Sequence, residues 1–167
     1  MTTLLSRTYW NYIWQPLIIF AFLAIILNVF LFTEHVSDIA WAVGTGSLAS
    51  SAYLVFAKPS TVSARPLCLI VSYVLAITCG LVTHYLGDLL LLTHDQLFWM
   101  SFLAAFSATI TLLFMVWMNV EHPPAIGMAL VCVIDLRDYH TLIIVLGAVT
   151  VLVILKLALS RWLRDLY

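Results

Sequence analysis

Glu121-His122-Pro123-Pro124-Ala125-Ile126-Gly127-Met128-Ala129-Leu130 is the one stretch whose residue types suggest chemistry. It sets an imidazole beside two prolines and a run of small residues, between two apolar segments. Proline fits the first turn of a helix, where its missing N–H would have no partner, so a helix can start at Pro123–Pro124 but cannot run through them. A helix start exposes unpaired amides and the positive end of its dipole, a place that attracts small anions. Two prolines remove two donors, leaving the amides of Ala125 to Gly127. His122 is suited to donate to an oxyanion or to carry its proton. The plainer reading of His122 is a hydrogen-bonded core histidine capping the helix, and of Glu121 a solvated loop charge.

A second stretch, Gly44-Thr45-Gly46-Ser47-Leu48-Ala49-Ser50-Ser51-Ala52, is built from small residues. Gly44, Gly46 and Ser47 either let a neighbouring helix pack closely or leave room along a solute path. Arg65 is a candidate for recruiting an anion, although a basic residue in a loop first of all biases topology.

These residues must be held by a membrane protein. Of 167 residues, 64% are hydrophobic and 9% charged, where a soluble domain carries about a quarter charged. The formal net charge of −1 gives no reason to expect a nucleic-acid partner. Cys68, Cys79 and Cys132 lie in apolar segments without metal-ligand spacing and read as small core residues. No metal or other cofactor is expected, and no nucleophile–base pair suggests an enzyme. Arg7 is the only basic residue before a long first apolar run with no cleavage pattern, so that run reads as a mature span.

Five long spans are expected, at 13–32, 39–57, 67–86, 97–118 and 141–159, with the short broken helix 123–134 between the last two. Trp10 and Trp14 suit an interfacial belt, and Pro16 a first turn. Asn28, Ser101, Ser107, Thr109 and Thr111 are expected to bond between helices, and His84 to reach toward the interface. The short helix is about 18 Å long at 1.5 Å per residue, against a hydrocarbon core of about 30 Å. It either turns back or crosses with help from the irregular residues before it.

Charge favours crossing. With six crossings, Arg7, Lys58, Arg65, Lys156, Arg161 and Arg164 share the cytoplasmic side with both termini. Glu34, Asp38, Asp88, Asp95, Asp135 and Asp138 lie opposite, accompanied by Arg137. A bacterial inner membrane is the expected location. Two successive groups of three helices are inverted relative to each other, each with an irregular middle member, as in inverted-repeat transporters.

The block from Glu121 to Leu130, with the Gly46–Pro59 stretch ahead of it, resembles the HPP family of small integral membrane proteins. The first is similar to its His-Pro-Pro-Ala-Gly-Ala-Thr-Ala-Leu block, the second to its Gly/Ala/Ser-rich helix ending in Phe-Gly-x-Pro. The chain departs from the family's following Pro-Arg-Asn and Gly-Gly-His: it has Arg65-Pro66-Leu67-Cys68 and Val71-Ser72-Tyr73, with tyrosine in place of the histidine. The resemblance implies a helical bundle without known catalytic activity, some relatives being similar to nitrite transporters. The expectation is therefore an all-α transmembrane bundle forming a channel or transporter for a small, anionic, nitrite-like solute. His122, Pro123, Pro124, Ala125, Gly127, Gly44, Gly46, Ser47 and Arg65 would line its path. Lipid surrounds it, and a bundle this small is expected to form a homo-oligomer. The alternative is a structural or assembly subunit of a larger membrane complex.

Overall fold

A computed structural model describes residues 2–32, 38–90, 96–134 and 139–166, and for 2–9, 31, 39, 40, 96 and 97 the backbone only. The expectations for Glu34, Asp95, Asp135, Arg137, Asp138 and the Arg7 side chain lie outside the described residues. Among the described residues six α-helices follow one another: α1 Thr2–Leu31, α2 Asp38–Ala57, α3 Pro66–Leu90, α4 Gln96–Trp117, α5 Ile126–Ile134 and α6 Tyr139–Leu159. A 3-10 turn at Val62–Ala64 sits between α2 and α3, and another at Pro123–Ala125 leads into α5.

Among the described residues, four helices are long and apolar enough to cross a membrane, over Trp10–Phe30, Pro66–Leu90, Phe98–Trp117 and Tyr139–Leu159. This corrects the expectation of five long spans. α2 spans 20 residues, with side chains described at Asp38 and from Trp41 to Ala57, and Gly44, Thr45, Gly46, Ser47, Ser50 and Ser51 lower the hydropathy of that described stretch. Pro16 also differs from expectation: it lies inside a 30-residue helix, because α1 begins well before the apolar run. Asn28 bonds back to the Ala24 carbonyl (2.7 Å) in its own helix, and Thr109 and Thr111 do the same to Ala105 and Ser107 (2.8 Å each). Short side chains reach the carbonyl four residues back more easily than a neighbouring helix. The buried Ser107 hydroxyl has no hydrogen-bond partner among the described residues.

The helices alternate in direction. At one end of the bundle the Tyr12 hydroxyl of α1 donates to the Leu166 carbonyl, and the buried Gln15 amide donates to the carbonyls of Phe56 and Arg164. Lys156 of α6 reaches the same end, donating to the carbonyls of Pro59 (3.0 Å) and Ala64. Lys58, Arg65, Arg161 and Arg164 gather there too, while Asp38 and Asp88 mark the opposite end. α5 runs parallel to α3: Val120, just ahead of it, accepts from Ser72 near the start of α3, and the Val133 carbonyl faces His84 Nδ1 (3.4 Å) near its end. The adjoining Tyr85–Tyr139 contact starts α6 at that far end. The segment after the double proline therefore passes along the bundle instead of turning back.

α5 is the packing centre, touching α2, α3 and α4. Met128, Ala129 and Cys132 are fully buried. The α3–α5 approach depends on Gly80, where a β-carbon would stand 2.5 Å from Cys132 Cβ and 2.9 Å from the Ala129 carbonyl oxygen. Around this centre, Ile25, Phe32, Leu113, Ile143 and Leu157 point outward, the pattern of a bundle solvated by lipid.

Candidate functional site

α4 ends at Trp117, and two residues on, Asn119 adopts a left-handed backbone (φ 56°) that asparagine tolerates better than most residues. The Val120 amide then closes on the Met115 carbonyl (2.9 Å). This turn delivers His122 into the interior, where it is fully buried. The next three residues form the 3-10 turn, in which the Ala125 amide bonds to the His122 carbonyl (3.0 Å) and the Ile126 amide to the Pro123 carbonyl. Two of the three amides expected to remain open to an anion are thus bonded within the turn itself.

The His122 ring joins three elements. Its Nδ1 is 2.6 Å from the Ser63 carbonyl in the α2–α3 connection. A carbonyl only accepts, so Nδ1 carries the proton and, in a neutral imidazole, Nε2 accepts. The atom facing Nε2 is the Ser51 hydroxyl of α2, at 2.8 Å. Ser51 in turn lies 2.8 Å from the Tyr73 hydroxyl of α3. A consistent proton assignment runs one way: Tyr73 donates to Ser51, Ser51 to His122, and His122 to Ser63. Ser51 also has the Ser47 carbonyl within reach (2.9 Å), but its single proton serves one acceptor at a time. Ser47 completes the cluster: its hydroxyl donates to the Pro124 carbonyl and lies 3.0 Å from the Tyr73 hydroxyl. The Tyr73 and His122 rings are tilted against each other at 5.9 Å.

The chain of hydrogen bonds ends on a backbone carbonyl, which passes no proton on, so its immediate effect is positional. It fixes the broken helix start to α2, α3 and the loop above them, and gives partners to polar groups that lipid would leave bare.

The residues expected at the site divide into two groups. His122, Pro123, Pro124, Ala125, Gly127 and Ser47 come together: a β-carbon on Gly127 would meet the Val43 side chain at 3.3 Å and Ser47 at 3.7 Å. Gly44 faces elsewhere, toward Phe30 and Val145, and Gly46 is exposed with no atom within 4 Å of an added β-carbon. Arg65 is exposed in the loop, its amide bonded to the Val62 carbonyl (3.0 Å). Ser51 and Tyr73 were not among the residues expected there. Ser51 lies one helical turn beyond Ser47, so the two share a face, and that spacing was available in the sequence. Tyr73 was visible only as a departure from the family pattern.

The family model of the HPP transmembrane region matches residues 6–166. No curated protein and no solved structure matches the sequence.

Proposed function

Because the chain belongs to the HPP transmembrane family, and is therefore an integral membrane protein, we propose that it carries a small solute across the membrane at the contact between α2 and α5. The observation that carries this reading is the junction of Ser47 with Pro124: the small-residue face of α2 meets the broken start of α5 through a hydroxyl, inside the bundle. Irregular backbone at membrane depth survives where protein or a wet cavity satisfies it, and transporters use such broken helices at their binding sites.

The packing supports a 3+3 inverted repeat. Exchanging α1 with α4, α2 with α5 and α3 with α6 turns each closely packed pair of these helices, among the described residues, into another such pair: α1–α2 into α4–α5, α3–α4 into α6–α1, and α3–α5 into α6–α2. The α2–α5 and α3–α6 pairs map onto themselves. In such repeats transport proceeds by rocking one half against the other. The solute is a small anion, nitrite-like by family resemblance. It enters from a cytoplasmic side marked by Lys58, Arg65, Lys156, Arg161 and Arg164, drawn by the positive potential of that end. The protein works as a homo-oligomer in a bacterial inner membrane and catalyses no reaction.

Flux into proteoliposomes, across a panel of nitrite, nitrate, formate and an uncharged solute of similar size, tests the proposal. Anion flux is expected, and Gly127→Val, which places bulk between α2 and α5, should abolish it in folded protein. Absence of flux for the whole panel sinks the reading, and recovery of a stoichiometric foreign subunit from native membranes would replace it with an assembly role. Reporter fusions at Arg137 and after Tyr167 check the orientation, and native-lipid mass measurement checks the oligomer.

A further inference from the structure

We propose that the cleft between the start of α1, the end of α6 and the C-terminal tail binds the headgroup of an anionic phospholipid. The cleft measures about 960 Å³ and is lined by Trp10, Asn11, Trp14, Arg161, Trp162 and Arg164 among others. It lies beside the spans Trp10–Phe30 and Tyr139–Leu159, at the end of the bundle that carries Arg161 and Arg164. That level of a bilayer holds headgroups, and tryptophan prefers it. Both arginines are exposed, and among the described residues neither guanidinium is in an ion pair. The one carboxylate among the described lining residues, Asp165, is already engaged by the Ser60 amide (3.1 Å) and hydroxyl. Two unpaired guanidiniums are thus left to receive a phosphodiester, for which their planar fork is suited.

The cleft is preformed. The tail that carries Arg164 is held by Gln15 through the Arg164 carbonyl (2.9 Å), by Tyr12 through the Leu166 carbonyl, and by the Leu166 amide on the Ala57 carbonyl (3.0 Å). Ile18 and Leu159 give it an apolar floor, and the adjoining face of α1 exposes Ile13, Leu17 and Phe20. A soluble anion has no use for that floor, whereas a lipid has acyl chains to lay along it. Basic pockets between helices at a charged leaflet select anionic headgroups in this way.

Native mass spectrometry of the full chain in mild detergent, titrated with phosphatidylglycerol or phosphatidylcholine, tests the site. Phosphatidylglycerol is expected to be retained in preference to phosphatidylcholine. The double variant R161Q/R164Q should weaken its retention by about thirtyfold, the factor two arginines supply beside an anionic headgroup. Arg65→Gln, which removes a charge from the same end away from the cleft, should change it little, and millimolar inorganic phosphate should fail to displace the lipid. Equal retention of both lipids, an undiminished phosphatidylglycerol signal in the double variant, or an equal loss in Arg65→Gln overturns the proposal. Displacement by inorganic phosphate overturns it too, since the ligand would then be a free anion. Both arginines are exposed, and an unchanged melting profile of the double variant confirms that its fold is retained.

Discussion

Gly80→Ala probes the place where α5 is held most closely. The new methyl would sit 2.5 Å from Cys132 Cβ, 2.9 Å from the Ala129 oxygen and 3.2 Å from Ala129 Cα. Carbon atoms in contact lie about 3.5–4.0 Å apart, so α3 and α5 must separate by roughly 1 Å. Overpacking of this kind costs about 1–3 kcal/mol. The upper end applies, because two of the three opposing atoms are backbone and cannot rotate away. Replacing glycine within a helix returns up to about 1 kcal/mol, leaving a net loss of about 2 kcal/mol. For a chain of this size that lowers the melting temperature by about 4–8 °C, measurable by thermal unfolding in detergent. Gly46→Ala is the matched control, with nothing within 4 Å of its methyl, and should hold or raise the melting temperature. A double-mutant cycle locates the clash. Cys132→Gly removes the nearest atom and should couple favourably with Gly80→Ala, recovering part of the loss, whereas Cys132→Ala keeps the β-carbon and should recover none. Wild-type stability in Gly80→Ala, or equal recovery by the two cysteine variants, would refute the close α3–α5 packing.

Ser51→Ala leaves His122 Nε2 buried without its donor and should cost about 1–3 kcal/mol, read by denaturant titration; the Ser51→Ala/His122→Ala pair should cost less than the sum of its parts. Asn119→Val forces a β-branched residue into a left-handed turn and should destabilise by about 1–3 kcal/mol, while Asn119→Gly stays near wild type in the same titration. The Ser60 hydroxyl and amide, with Lys58 and Lys156 adding to them, hold the Asp165 carboxyl below its ordinary pKa of 3.8. The folded state therefore prefers the ionised form. The tail-to-loop contact is complete above the free value and is lost as pH falls through the lower folded value. The protection factor of the Ser60 amide, its exchange rate corrected for the intrinsic pH dependence, should fall only in that acid window, and uniform protection down to full protonation would contradict it.

The helix break was legible because proline constrains the backbone regardless of context: Pro123–Pro124 could only begin a helix, and α5 does start just beyond them. The small-residue face of α2 was legible as a contact surface, and Ser47 lies on it. Helix ends were read less well, since hydropathy marks where lipid begins and not where hydrogen bonding does. α1 accordingly starts eleven residues before Ile13, at Thr2, and Pro16 falls in its interior. Partners across the bundle were legible least. Nothing in the local pattern around Ser63, Ser51 or Tyr73 announces that all three converge on one imidazole, because that convergence depends on how α2, α3 and the connection between them are arranged in space.

The short connection from Ala57 to Arg65 receives grips from four directions: the imidazole at Ser63, the α6 ammonium at Pro59 and Ala64, the carboxylate at Ser60, and the tail amide at Ala57. Surface connections usually absorb insertions and deletions freely. This one behaves like a keystone: adding or removing one residue would misalign several grips together, so its length is more tightly fixed than its letters.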